Sequence, residues 1–402
     1  MIRFIFCLTF FALNGFLLGQ GVVQPFPTTQ PVEVVDSQES IETLEQRVAR
    51  LRHELAQAEH ALAAQRMQFQ HAGVAPDGKP KEEAVVEPKT RKIPTGALVV
   101  IRGAGGAGSG FIAELKGRTF LVTNIHVLGT ARGARFKTIN GEPVEIGSTA
   151  FVCNSRDIAI LPVEWEGPCF EVSRSLTFDE VAVGQEVVVM GNSGGASVAT
   201  RLRGKIKGIG PDEIEVSAKF VPGNSGSPII HEELGMVVGI ASYLRDFSEK
   251  TKWTKDSELG DIRRFGYRMD GDVQWQRIDL SELFAEADAY YSFEDRTKAM
   301  WEIGYRLEHE SKLVTSYRDH ESLGHLYNDI NSDFNWGRGT TSSRNIQILQ
   351  RFVRRMKIEL HNDIDDTDKA LTVNFYRSMF SDLKPMRERI EKSFKNFEES
   401  RL

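Results

Sequence analysis

The stretch Val221-Pro222-Gly223-Asn224-Ser225-Gly226-Ser227-Pro228 constrains this chain more than any other. Strand-like runs, Glu213–Phe220 and Pro228–Ile230, flank it, so the backbone has to reverse on a tight loop carrying a serine. On its own, Gly-Asn-Ser-Gly is ordinary turn chemistry. A serine hydroxyl is a poor nucleophile. It needs a base to take its proton and donors to hold the oxyanion that forms. Gly223 would let its own N–H and that of Ser225 point into one small space. The question is whether the rest of the chain supplies a base and a carboxylate.

Both are present. Phe120-Leu121-Val122-Thr123-Asn124-Ile125-His126-Val127 reads as an apolar strand that ends in a histidine. Ser155-Arg156-Asp157-Ile158-Ala159-Ile160-Leu161 sets a lone aspartate at the head of another apolar strand. The order His126, Asp157, Ser225 is one of the chain orders in which a serine triad occurs. In that reading Ser225 attacks a carbonyl and His126 acts as general base and then general acid. Asp157 holds the histidine tautomer and stabilises the imidazolium.

Thr-Asn-Ile-His-Val, Arg-Asp-Ile-Ala-Ile-Leu and Pro-Gly-Asn-Ser-Gly-Ser-Pro, in that order, resemble the motifs of a trypsin-like (chymotrypsin-fold) serine protease. The bacterial HtrA/Deg-type and glutamyl-endopeptidase-type branches look most similar. The resemblance covers residues 96–245. It implies a mainly β domain of two six-stranded-type barrels, split near Glu164–Glu180. His126 and Asp157 would come from the first barrel and Ser225 from the second, with the cleft between them. It also implies peptide-bond hydrolysis through an acyl-enzyme, an oxyanion hole at Gly223 and Ser225, and no metal or organic cofactor. By the same analogy Gly239-Ile240-Ala241-Ser242-Tyr243 forms the far wall of the primary specificity pocket. Lys219 precedes the nucleophile turn. If it points into that pocket, acidic side chains are preferred, although Ala241 and Ser242 stand where glutamyl-specific relatives carry a histidine.

One departure bears on activation. The residue before the serine is Asn224, whereas trypsin-type zymogens have an aspartate there that pairs with a new N-terminal ammonium. A neutral amide cannot form that ion pair, so no trypsin-style activation is expected.

Strand-like runs follow quickly: Ala97–Arg102, Ser109–Leu115, Ala134–Ile139, Val144–Ile146, Ile158–Val163, Phe170–Val172, Glu186–Met190, Thr200–Ile209, Glu213–Phe220, Ser227–Ile230 and Met236–Ser242. Short strands with Gly-rich turns fit barrels or sandwiches. Gly103-Ala104-Gly105-Gly106-Ala107-Gly108 matches Gly-x-Gly-x-x-Gly. A strand rather than a helix follows it, so it is not a dinucleotide site.

The 402 residues have room for two or three domains, and 41% hydrophobic content supports a core. A net charge of −6 gives no general case for binding nucleic acid or anionic membrane. Three cysteines exclude a disulfide-dense scaffold; Cys153 and Cys169 could pair in an exported protein or stay as thiols.

Residues 1–21 read as a secretory signal: Arg3, a mostly apolar Phe4–Leu18, then Gly19-Gln20-Gly21. Export to the periplasm or the extracellular space is expected, with no membrane span after signal removal; an uncleaved anchor is the alternative. In residues 38–70, Ile41, Val48, Leu55, Leu62 and Phe69 recur every seventh position, with Leu44, Leu51 and Ala58 three further on. That is the seam of a coiled coil, which would form a homo-oligomer; a lone amphipathic helix is the alternative. Residues 71–95 are a polar linker. Residues 246–280 are a connector whose aromatics and arginines pack on the protease domain rather than on nucleic acid.

Residues 281–402 turn helical, with Leu349, Phe352, Val353, Met356 and Leu360, and then Leu371, Phe375, Met379, Leu383, Ile390 and Phe394, at helical spacing. Pro385 is expected to kink the second of these. His320 and His325 lie five apart, off one helix face, so no metal site is expected. No Gly-Leu-Gly-Phe-type loop of a PDZ domain occurs. The chain thus reads as an exported serine endopeptidase acting on proteins or peptides, with a helical C-terminal domain. A non-catalytic scaffold or chaperone-like protein on the same fold is the rival.

Overall fold

The computed structural model describes residues 93–103, 106–247, 262–271, 273–310, 312–336 and 342–399. The expected signal (1–21) and coiled coil (38–70) lie outside the described residues, as does nearly all of the linker (71–95).

Two β units meet at the cleft. The first is an eight-stranded sheet made of β1 (Leu98–Gly103), β2 (Gly106–Leu115), β3 (Arg118–Thr123), β4 (Arg135–Thr138), β5 (Thr149–Cys153), β6 (Ala159–Pro162), β7 (Phe170–Glu171) and, from much later in the chain, β14 (Trp275–Asp279). Its main path runs β14-β5-β6-β3-β2-β1-β4, with β7 pairing in parallel to β2. The second unit is a closed barrel, β10-β13-β12-β11-β8-β9. Its strands are β8 (Glu186–Asn192), β9 (Ala199–Ile209), β10 (Glu213–Val216), β11 (Pro228–His231), β12 (Val237–Asp246) and β13 (Ile262–Tyr267).

Two expectations change here. Only the second unit is a six-stranded closed barrel; the first is a larger sheet that takes in a strand from beyond that barrel. The boundary at residue 245 is also too early. β13 pairs with both β10 and β12 to close the barrel, and β14 pairs antiparallel with β5. The supposed connector 246–280 therefore holds two ladder strands. Its aromatics Phe265, Tyr267 and Trp275 sit in them.

A short helix, α1 (Ile125–Gly129), follows β3. After β14 the chain is helical: α2 (Leu280–His309), α3 (Gly324–Asn331), α4 (Ser343–Ala370), α5 (Asn374–Asp382) and α6 (Lys384–Glu399). Ser342 caps α4 by accepting from Asn345 N. Pro385 does not kink a helix; it stands at the second position of α6, where its missing N–H costs nothing.

The helices divide between two cores. Leu283, Ala287, Tyr290 and Phe293 of α2, with Leu371, Val373, Tyr376, Phe380 and Leu383, are buried together with the apolar side chains of the first sheet. The distal half of α2 packs separately with α3, α4 and α6 around Met300, Ile303, Tyr327, Phe352 and Phe394. Glu286, buried on α2, ties the elbow before α5 by accepting from Thr372 N and Val373 N, each at 2.8 Å. Among the described residues, no helix is long and apolar enough to cross a membrane.

Candidate active site

His126 is delivered by α1. Strand β3 ends at Thr123, and the chain turns at Asn124, whose side chain donates to Asp157 O at 2.6 Å. Thr130 closes the turn by donating to His126 O and Val127 O. Asp157 lies on the loop between β5 and β6 and is 2% exposed. His126 Nδ1 is 2.6 Å from Asp157 Oδ2, and His126 N donates to Asp157 Oδ1 at 3.1 Å. The Ser242 hydroxyl also donates to Asp157 Oδ2, at 2.7 Å. Burial pushes the Asp157 carboxyl up, but the His126 ring and these three hydrogen bonds outweigh it and hold the group below its ordinary range. A carboxylate so fixed holds Nδ1 protonated and directs Nε2 away from itself.

Ser225 sits on the turn between β10 and β11. Asn224 N donates to Val221 O at 3.0 Å across Pro222 and Gly223, and Gly223 has φ +94°. Proline second and a positive-φ glycine third make this a type II turn. Both carbonyls of the turn are occupied: Pro222 O accepts from Gly194 N at 2.7 Å, and Gly223 O from the buried Ser109 hydroxyl at 2.7 Å. Ser109 Oγ also accepts from Asn192 N at 2.8 Å, and Ser109 N donates to Ser225 O at 2.8 Å. The fully buried Asn224 accepts at Oδ1 from Val221 N (3.1 Å) and Ser193 Oγ (2.9 Å). With the carbonyls held, the N–H groups of Gly223 and Ser225 donate to no acceptor among the described residues.

His126, Asp157, Gly223, Ser225 and Ser242 all line one cavity of about 2350 Å³. The Ser225 hydroxyl donates to Ser242 O at 3.0 Å and, among the described residues, makes no hydrogen bond to His126. Residues 108–240 match the family described as "Trypsin-like peptidase domain". The chain carries a trypsin-like peptidase domain, of the serine-endopeptidase class.

No curated protein matches the chain. Among solved structures the peptidase domain is similar to an inactive form of Rv3671c from M. tuberculosis H37Rv, at 21% identity over 47% of this chain and 88% of that one, with a TM-score of 0.34. It is also similar to a serine endoprotease from Yersinia pestis (23% identity, 44% and 60% covered, TM-score 0.33) and to Deg5 (22% identity, 37% and 80% covered, TM-score 0.31). Likenesses this distant carry no weight for function.

Of the two expected specificity residues, Ser242 lies on the cavity wall and Lys219 does not. Lys219 is exposed and does not line the cavity of the peptidase domain; the buried residue after it, Phe220, does. In the alternation of an extended segment the two point to opposite sides. Ser242 lines the cavity, but its hydroxyl is committed to Asp157. Phe220, Tyr243 and Tyr267 line the same cavity, as do Arg156, Glu213 and Arg245, with the Tyr243 hydroxyl donating to Glu213 at 2.5 Å.

In the sequence Ser109 reads only as a strand start, and Ser242 only as a pocket wall. Arg156, within Arg-Asp-Ile-Ala-Ile-Leu, reads without a role. It donates to Asp212 Oδ1 and to the carbonyls of Arg268 and Asp270, tying the Asp157 loop to the second barrel. An arginine directly before the candidate carboxylate was the available signal; its partners lie 56 to 114 residues away in sequence. Cys153 and Cys169 are both free thiols. His320 and His325 face separate carboxylates, Asp295 and Glu359.

Proposed function

We propose that the peptidase domain hydrolyses peptide bonds through an acyl-enzyme formed on Ser225. The observation that carries this reading is the Asp157–His126 pair opening on the same cavity as Ser225 and the two unengaged N–H groups. In the reaction the Ser225 hydroxyl leaves Ser242 O and donates to His126 Nε2. Such hydrogen bonds tighten only when substrate is bound. Ser225 Oγ attacks the scissile carbonyl while His126 takes its proton. The oxyanion accepts from Gly223 N–H and Ser225 N–H. His126 returns the proton to the leaving amine, and water repeats the sequence on the ester. Asp157 stays ionised throughout.

The test is fluorophosphonate labelling and casein hydrolysis by the full chain beside Ser225→Ala and His126→Ala. Labelling at Ser225 with loss of hydrolysis in both variants is expected. Neither labelling nor hydrolysis in the parent chain would leave a binding protein on the peptidase fold. We further propose that residues 1–21 direct export and that residues 38–70 assemble copies of the chain. N-terminal sequencing of exported protein and sedimentation with and without residues 38–70 check these two readings.

A further inference from the structure

The catalytic cavity does not end at the peptidase domain. Its opposite side is formed by the helical region. On α2, Asp288, Tyr291 and Asp295 reach it from positions 288, 291 and 295, the three- and four-residue steps of one helix face. On α5, Asn374, Ser378 and Asp382 do the same at four-residue steps. The loop between α2 and α3 adds Asp319. At about 2350 Å³ the space exceeds the roughly 300–1,000 Å³ of a small-molecule pocket and has room for an extended chain.

The helical side is held firmly against the catalytic side. Gly129, at the end of the helix that carries His126, leaves no room for a side chain: a Cβ there would lie 1.9 Å from Tyr376 Oη and 2.9 Å from Ala287 Cβ. Arg132, just beyond, pairs with Asp288 at 2.8 Å. A ligand spanning both sides would thus meet fixed positions.

Charge then selects the ligand. On the helical side six carboxylates line the cavity against two lysines, while its arginines, Arg132, Arg156 and Arg245, all lie on the peptidase side. Asp288, Glu294 and Asp295 have local partners in Arg132, Lys298 and His320. Asp319 and Asp382 have no basic partner among the described residues. Partial loss of solvent pushes the Asp382 carboxyl up although the residue is exposed overall, a cost that an arriving cation would offset.

We propose that this face is a substrate-binding extension that takes a Lys- or Arg-rich stretch of the polypeptide, remote from the bond cleaved. The proposal rests on Ser225 being the nucleophile only in naming the ligand as substrate. It is tested by binding, which needs no turnover. The full chain bearing Ser225→Ala is titrated into a fluorescein-labelled peptide of about a dozen residues with a Lys/Arg-rich end, and into its counterpart with a Glu/Asp-rich end. Anisotropy at low salt should show the basic peptide bound at least about ten-fold more tightly. Adding Asp319→Asn and Asp382→Asn should reduce that ratio several-fold, as should raising salt, which screens exposed charges within about 10 Å at 0.1 M. Both aspartates are exposed, so the melting temperature serves as the folding control.

Equal affinities for the two peptides, no binding of either, or a ratio untouched by the two substitutions would overturn the proposal. Fluorophosphonate labelling of the parent chain reads the nucleophile separately. Labelling without a basic preference removes the extension alone. A basic preference without labelling keeps the groove and removes the peptidase reading.

Discussion

The second barrel and the first sheet solve the same problem differently. The barrel pairs every strand with two neighbours and encloses its own core of Val187, Val189, Ile206, Ile214, Val216, Ile229 and Val238. Closure removes its edges. The first sheet stays open, borrows β14 for one edge, and completes its core with side chains from α2 and α5. The turn carrying Ser225 therefore hangs on the closed barrel, whereas His126 and Asp157 hang on a unit that depends on the C-terminal region. The helical tail, separable by its sequence, is part of what holds His126.

Ending the chain after Asp279 should produce the largest effect. Leu280, Leu283, Tyr290 and Phe293 leave the core, each worth about 1.5–3 kcal/mol of burial, against a total stability of about 5–15 kcal/mol. We expect no cooperative melt of the first sheet and no fluorophosphonate labelling. A truncated chain that melts cooperatively and labels would erase the contrast between the two units.

Ser109→Ala tests how the units are joined at the turn that carries Ser225. It strands Gly223 O and Asn192 N, at about 1–3 kcal/mol for a buried unsatisfied group. If the turn loses that much order, kcat falls about 10–100-fold with KM little moved. An unchanged kcat would mean that Gly194 and Ser193 hold the turn without Ser109.

Gly129→Ala probes the contact between α1 and α5. Overpacking at about 1–3 kcal/mol should lower both the melting temperature and kcat/KM. Tyr376→Phe removes the nearest atom, so the double variant should recover part of the loss. Absence of any recovery would place the strain elsewhere.

The smallest effect lies deep in the helical region. Burial pushes the Asp363 carboxyl up to about 6 although Arg296 is 2.7 Å away. The folded state then holds this proton more tightly than the unfolded chain. Stability from this group is present below about pH 4 and lost as pH rises through about 6. Melting temperature measured across that window should fall less steeply in Asp363→Asn. Equal slopes would show that other groups govern the pH response.

Much of the site was legible in the sequence because its chemistry is local. A glycine before the serine, a histidine just after an apolar strand and an aspartate just before another are each written within a few residues. The structure brings all three to one cavity. The short strands were legible too, by alternation and turn residues. β5, β13 and β14 were not: Thr149–Cys153 is short and half-buried, while Ile262–Tyr267 and Trp275–Asp279 carry arginines that read as connector. In β13 the barrel accommodates Arg263 by pairing it with Glu215 of β10.

By itself, then, the sequence determined the order of the functional residues, the glycine the turn requires and the helical period of the tail. These depend on backbone sterics and on neighbours close in the chain. Only the tertiary structure decided that Ser242 serves Asp157, that Ser109 and Ser193 fasten the turn that carries Ser225, that Lys219 faces away, and that the helical region walls the cleft. Each of those is a contact between segments far apart in the chain. Such contacts follow from how two sheets and five later helices share their cores, and no residue pattern records that sharing.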